Sequence, residues 1–241
     1  TNQIKAYQGQ VESMVSANGK GLGVRVFLDK RMGFAYTSDF SESSLGRTVR
    51  DAVENARFSA PDPHNGLPET AVHFPDPDIY NPGLAETRVE KKIDLALAME
   101  KAALGADPRI KNVMSSSYGD GSHEITLANS LGLQRSYKAN YCSVSLFLVA
   151  QDGTSTQTGF AFDLGRNIES FDPEALAREA VGMAVSLLGA RPVASQRVPV
   201  VFHRFVGAQI LGVLTSPLTA EAVQRGRSLF AGKIGQRVAS E

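Results

Sequence analysis

The chain has 241 residues, 42% of them hydrophobic and 21% charged, with Lys+Arg and Asp+Glu both at 25. That length accommodates one large or two small domains, and the balanced charge gives none of the basic excess that draws a protein to nucleic acid. The single cysteine, Cys142, excludes an intrachain disulfide framework and fits a reducing compartment. No apolar run approaches about 18 residues, so no membrane span is expected. The opening TNQIKAYQGQ lacks the apolar core of a signal peptide. The chain starts at Thr1 and ends on Ser240 and Glu241 with no obvious closing element, as expected of a processed or truncated polypeptide.

Residues 1–39 have the pattern of three consecutive strands. In 6–16, Tyr7, Val11 and Val15 punctuate a mostly polar run, the imperfect alternation of a half-exposed strand. Asn18-Gly19-Lys20-Gly21 is turn chemistry, because Asn and Gly tolerate positive φ. Residues 23–28 (GVRVFL) alternate and are β-branched, Asp29-Lys30-Arg31 reverses the chain, and 32–37 (MGFAYT) run back, so a β-meander is predicted. A helix follows. Asp39 with Glu42 resembles a capping box, with Ser41 an alternative cap, and Leu45, Val49, Ala52, Val53 and Ala56 form one apolar stripe. Pro61 lies past its end. Residues 59–82 hold six of the eleven prolines and make a long, stiff surface connection. A helix over 84–106 with Val89, Ile93, Leu97 and Ala98 on one face comes next, ended by Asp107-Pro108.

Residues 110–162 are β again. Segments 113–117 and 124–129 come first, Ser130-Leu131-Gly132 turns the chain, 141–150 (YCSVSLFLVA) becomes wholly apolar, and Gln151-Asp152-Gly153 makes a hairpin turn into 154–162. Asp172-Pro173-Glu174 opens a helix with Asp at the N-cap and Pro at its first position; Leu176, Ala180, Met183, Ala184 and Leu187 are its apolar stripe, and Gly189 and Pro192 close it. The expected domains are 1–195 and the beginning of a second over 196–241, with the boundary in 191–197.

One internal echo runs through the first of these. Gly33-Phe34-Ala35-Tyr36 and Gly159-Phe160-Ala161-Phe162 each end a run of strands, and the helices that follow contain Arg50-Asp51-Ala52-Val53 and Arg178-Glu179-Ala180-Val181, at offsets of 126 and 128 residues. Two β-meander–helix units of an α+β fold follow from this, with antiparallel strands and helices packed on one face.

Chemistry is sparse. Of the four histidines, His64, His73, His123 and His203, no two stand at the i,i+3 to i,i+5 spacing that presents a pair to a metal from one helix. His64 lies in a Pro-rich loop, His73 in a short apolar stretch expected as an edge strand, and His123 in an expected loop after Gly119-Asp120-Gly121-Ser122. His203 is the best placed, directly after an apolar run at 198–202 (VPVVF) that reads as a buried strand. A helical segment with Phe205, Val206, Ile210, Leu211 and Leu214 follows it. Neither glycine-rich stretch, 119–121 or 19–23, precedes a helix whose N-terminus could hold a phosphate. No GxSxG occurs. Cys142 in mid-strand reads as a packed small hydrophobe, Asp76 and Asp78 are merely close in a loop, and Arg225-Gly226-Arg227 with Lys233 and Arg237 is a modest basic cluster on a solvated turn. The residues alone describe a soluble α+β protein without a visible catalytic constellation.

Four phrases occur here in the order of one family: Gly21-Leu22-Gly23-Val24-Arg25-Val26, Gly33-Phe34-Ala35-Tyr36-Thr37-Ser38-Asp39, Val198-Pro199-Val200-Val201-Phe202 and Gly226-Arg227-Ser228-Leu229-Phe230-Ala231-Gly232-Lys233-Ile234-Gly235. The chain resembles the TldD/PmbA family, nearest its PmbA (TldE) branch, and covers part of a family member. The resemblance implies a cytoplasmic proteolytic complex in which a TldD subunit pairs with a PmbA/TldE subunit. The TldD subunit carries HExxxH on the helix after a strand like 198–202, its two histidines holding zinc and its glutamate activating the bound water. An older label links the family to modulation of DNA gyrase.

This sequence departs from that pattern: no histidine lies between Val206 and Gly235, Glu221 has no flanking ligands, and His203 precedes the helix without a partner. No catalytic, cofactor-binding or metal residue is therefore carried over to this chain, and zinc is expected only in a TldD-type partner. The expected partners are that subunit or a second copy in a dimer, and a peptide substrate, with no direct nucleic acid and no membrane. Two other readings stand beside this one: an autonomous peptidase with His203 or Glu221 as first suspects, and a regulatory binding protein of the gyrase-modulator type.

Overall fold

The computed structural model describes residues 1–68 and 77–239. They fall into two compact units, Thr1–Ala190 and Arg191–Glu241.

The first unit opens with two hairpins rather than a three-stranded meander. β1 (Asn2–Tyr7) and β2 (Gln10–Ser16) are joined by Gln8 and Gly9, at φ 54° and 72°. Positive φ at both central residues is the two-residue turn whose twist matches the flanking strands. The single strand expected over 6–16 is thus folded back on itself at residue 8. Gln is a poor advertisement for such a turn, and the price of its left-handed conformation is met by a side chain far along the chain: Glu100 accepts from the amides of Gln8 at 2.6 Å and Gly9 at 2.9 Å. β3 (Leu22–Leu28) and β4 (Arg31–Thr37) form a second hairpin through Asp29 and Lys30, again at positive φ, 47° and 63°.

The hairpins enter different sheets. β5 (Ile110–Ala128), β6 (Gln134–Asp152) and β7 (Ser155–Gly165) follow one another antiparallel, and β1 adds antiparallel to β5, giving the order β2-β1-β5-β6-β7; β3 and β4 form a separate two-stranded sheet. The two segments expected at 113–117 and 124–129 are one 19-residue strand. Gly119-Asp120-Gly121, which by composition suggests a loop, lies in its middle. It stays extended because β6 pairs with it throughout, Gly119 opposite Ser143 and Gly121 opposite Tyr141.

Helix α1 (Glu42–Phe58) packs on β3 and β4, with Thr48, Ala52 and Ala56 buried. Ser41 is its N-cap, and Asp39 accepts from the Ser41 amide and from the Ser41 and Ser44 hydroxyls instead of capping directly. The helix expected over 84–106 is two: α2 (Pro82–Ala85) ends on a tight turn, and α3 (Val89–Ala106) starts after Arg88. The face α3 buries is Lys92, Ala96, Met99, Glu100 and Ala103; of the expected stripe, Ile93 and Leu97 pack half-buried against the core, whereas Val89 and Ala98 are exposed. Small residues let the helix approach the sheet, and the two charged ones find partners there. After a single 3-10 turn (Ile168–Ser170), α4 (Pro173–Ser186) starts as expected: Asp172 caps it, accepting from the amides of Glu174 and Ala175, with Pro173 in the first turn. Its buried residues include Ala177 and Val181, whereas Leu187, expected in the stripe, is exposed.

α3 and α4 lie together on the five-stranded sheet, and the core between them runs through Ile4, Met99, Val113, Tyr118, Leu146, Leu148 and Ala180. The fold is α+β, antiparallel strands with helices packed against them. The internal echo is a structural one. A Cβ on Gly33 would overlap the backbone of Ala52 and Ala56, and a Cβ on Gly159 would overlap Ala180 and touch Ala184. Each glycine therefore lets a strand and its helix meet at backbone distance. On the opposite side of each strand the aromatic pair stacks, Phe34 on Tyr36 at 6.4 Å and Phe160 on Phe162 at 5.7 Å.

The second unit holds α5 (Arg204–Val213) and α6 (Ala220–Gln224). Residues 198–202, expected as a buried strand, are neither strand nor buried: Val201 is 97% exposed. A strand exists only through hydrogen bonds to a neighbouring strand, and the described residues of this unit contain none. No helix among the described residues is long and apolar enough to cross a membrane.

Candidate functional site

The step into α5 is the position at which this chain could carry a catalytic group. His203 stands at its N-cap, and its Nδ1 accepts from the Phe205 amide at 3.4 Å. A ring nitrogen so engaged serves the helix end, where backbone amides need acceptors. Glu221, in the first turn of α6, lies 3.2 Å from Arg225 and 3.5 Å from Arg227. The basic turn expected at Arg225-Gly226-Arg227 thus holds that carboxylate. The two suspects for an autonomous site are occupied by local structure rather than by each other.

The remaining candidates are dispersed. The His64 amide donates to Asp62 in its loop. His123 lies in β5 opposite Ala139, not in a loop, and its ring meets Tyr137 edge-on at 6.1 Å. Asp78 lies 3.5 Å from Arg166; His73, expected on an edge strand, and Asp76 fall outside the described residues. Among the described residues no group of three or more His, Cys, Asp or Glu is placed to hold a metal ion. Cys142 is fully buried in β6, and burial, with the Asp120 charge adding to it, pushes its thiol up to about 11. Such a thiol is protonated at neutral pH and has no nucleophilic character.

Two buried ionic contacts escape a reading of the sequence. Lys92 Nζ lies 2.5 Å from Asp120 Oδ2, both side chains almost wholly buried, and Asn2 donates to the other Asp120 oxygen at 2.7 Å. Glu100, eight residues along the same face of α3, carries the β1–β2 turn. Charges at positions 92 and 100, separated by Ala96, share the helix face that also bears Met99 and Ala103, and that spacing is the signal that could have exposed them. They tie α3 to β1 and β5.

One cavity of about 650 Å³ lies at α2, α3 and the 3-10 turn, bordered by Asn81, Arg88, Lys91, Asp94 and Glu169, and the remaining candidate surfaces are on the sheet. β7 ends it, with no further strand beyond it among the described residues. Its outward aromatics Phe160 and Phe162 line the face away from the helices, 37% and 44% exposed. Further along that face, a cavity of about 310 Å³ lies over Gly119, bordered by Gln3, Val15, Tyr141, Ser143 and Ser145. Its lining is rich in hydroxyls and also includes Thr1, Asn2 and Asp120, the partner of Lys92.

Three regions match models of a single family: residues 1–56 the PmbA/TldA metallopeptidase domain 1, residues 82–188 its central domain, and residues 195–241 its C-terminal domain. The chain belongs to the PmbA/TldD family. It is 28% identical over 239 residues to the metalloprotease PmbA of Escherichia coli O157:H7, which covers 98% of this chain and 53% of that one. Among solved structures it superposes on TldE of Thermococcus kodakarensis with a TM-score of 0.80 at 21% identity, covering 99% of this chain and 54% of that one. It superposes also on a Bacteroides thetaiotaomicron protein described as a candidate modulator of DNA gyrase, with a TM-score of 0.86 at 22% identity, covering 99% and 55%. These likenesses show a shared fold, and the chain spans about half the length of the relatives it matches.

Proposed function

We propose that this chain is a PmbA/TldE-type subunit that assembles with a TldD-type zinc metallopeptidase, binds extended peptide, and supplies no catalytic group of its own. The observation that carries the reading is the sequence of the second unit. The helix after His203 contains no histidine, and Glu221 is engaged by two arginines. A zinc peptidase of the HExxxH kind needs two histidines on one helix and a free carboxylate to activate water.

In this reading the chain contributes binding. An extended peptide adds as a further strand to β7, taking hydrogen bonds along the edge of Ser155–Gly165 and setting alternate side chains beside Phe160 and Phe162. Main-chain pairing of this sort is tolerant of sequence, and it holds a substrate straight for a neighbouring subunit to cut. The complex functions in the cytoplasm, in keeping with the single buried thiol.

Co-purification tests the assembly. The complete polypeptide bearing an affinity tag is expected to retain an untagged TldD-type subunit in a fixed ratio. Elution of that subunit in the unbound fraction at micromolar concentrations would overturn the proposal.

A further inference from the structure

The internal echo aligns the outer edges of two hairpins. Offsets of 126 residues in the strands and 128 in the helices set Gly33 on Gly159, Phe34 on Phe160, Ala52 on Ala180 and Asn55 on Met183. Both hairpins close through two-residue loops, Leu28 pairing with Arg31 and Asp152 with Ser155. Such a loop closes on a hydrogen-bonded pair, and the two kinds of pair alternate from there. Phe34, opposite Arg25, and Phe160, opposite Phe147, therefore both fall in non-hydrogen-bonded pairs. Their amides and carbonyls turn away from the partner strand, toward the outer edge.

The helices meet those edges with different chemistry. Asn55 of α1 donates its Nδ2 to the Phe34 carbonyl at 2.9 Å, so a side chain stands on the β4 edge where a further strand would bond. Its counterpart on α4 is Met183, half-buried and with no N–H to donate. The outward groups of β7 belong to Thr156, Thr158, Phe160, Phe162 and Leu164, and Asp163 Oδ1 accepts from the last of these amides at 2.8 Å. The stretch left to an incoming strand is 156–162.

We infer that residues 156–162 of β7 are the strand-accepting stretch of this chain, and that its occupant is an extended peptide with bulky apolar side chains at alternate positions and small ones between. The inference rests on the proposed peptide-binding function and names its substrate class. Thr158, Phe160 and Phe162 share the sheet face away from the helices, where the two rings stack at 5.7 Å and are 37% and 44% exposed. Peptide residues opposite them stand on that same face. Aromatic and β-branched side chains are the ones that gain most from such cross-strand pairing. The intervening peptide side chains turn toward α4. That helix meets Gly159 at backbone distance, which leaves room beside it for small residues.

Fluorescence anisotropy with the complete polypeptide tests this. The probes are a fluorescein-labelled heptapeptide alternating valine and serine, its isomer with the valines in one block, and the alternating peptide N-methylated at the amides that would bond to β7. The alternating peptide is expected to bind saturably and at least ten-fold more tightly than the other two. Met183→Asn sets on β7 the side chain that Asn55 sets on β4, and Thr158→Pro removes an outward amide that the sheet itself does not use. Each is expected to weaken binding at least ten-fold, and Thr158→Pro gives an independent reading should Met183→Asn fail to fold. Absence of binding, equal affinity for either control peptide, or unchanged affinity in a folded variant would overturn the inference. Retention of a TldD-type subunit by the wild-type protein is measured in parallel. Retention without peptide binding overturns this inference alone, and loss of retention overturns the assembly.

Discussion

The Glu100 carboxylate supplies the acceptors that Gln8 and Gly9 of the β1–β2 turn would otherwise seek in water. Its two oxygens are both used, and the side chain is on a residue only 2% exposed. Glu100→Ala leaves both amides without their acceptor and removes two charge-assisted hydrogen bonds, a loss of about 2–4 kcal/mol in urea-unfolding stability. Glu100→Gln retains one acceptor and is expected to lose less. Cys142 gives a second residue-level test. Its thiol is raised to about 11 by burial, so the protonated form persists well above neutral pH. In the folded protein iodoacetamide is expected to leave it unmodified at pH 8, and alkylation should follow only the unfolded fraction as denaturant is added. Rapid modification of the native protein would show that β6 is open to solvent. The partners of the two groups are not legible in the sequence. A glutamate on the α3 face that also bears Lys92 and a cysteine in an alternating run acquire their meaning from residues 91 and 22 positions away, Gly9 and Asp120.

Secondary structure was most legible where local chemistry decides it. Asp172-Pro173 caps α4 through backbone amides within three residues, and the Ser130-Leu131-Gly132 turn is closed by Asn129, which accepts from the Leu131 and Leu133 amides. It was least legible where a distant partner decides it. Gly119 and Gly121 are held extended by β6, Gln8 is held in its turn by α3, and residues 198–202 lack among the described residues the neighbouring strand their composition calls for. The repeated Gly-Phe-Ala-aromatic phrase is the exception, since a similarity at long range was visible before its cause. That cause is the contact of Gly33 with Ala52 and Ala56 and of Gly159 with Ala180. Gly159→Ala and Gly33→Ala should each cost about 1–3 kcal/mol, because the new methyl meets helix backbone that cannot yield without lifting the helix from the strand. Gly182→Ala, on the open side of α4 with nothing within 4 Å of its new methyl, should instead raise stability by about 0.5–1 kcal/mol. Thermal unfolding of the three variants measures both signs.

For the whole molecule, the family frame is present and the zinc-binding pattern is absent from the stretch in which the resemblance expects it. His203 caps α5, Glu221 pairs with Arg225 and Arg227, and the histidines stand far apart in sequence at 64, 73, 123 and 203. Among the described residues β7 is the last strand of the sheet, flanked by stacked Phe160 and Phe162, and the proposed function sets a peptide along it. The proposed function divides labour between two related subunits, one cutting and one holding. Metal content and peptide hydrolysis measured together test this most directly, on the purified complete polypeptide, on a TldD-type subunit, and on their mixture. The account predicts zinc in the TldD-type subunit and in the mixture, hydrolysis in the mixture, and neither zinc nor hydrolysis in this protein by itself; stoichiometric zinc with peptidase activity in this protein alone would contradict it.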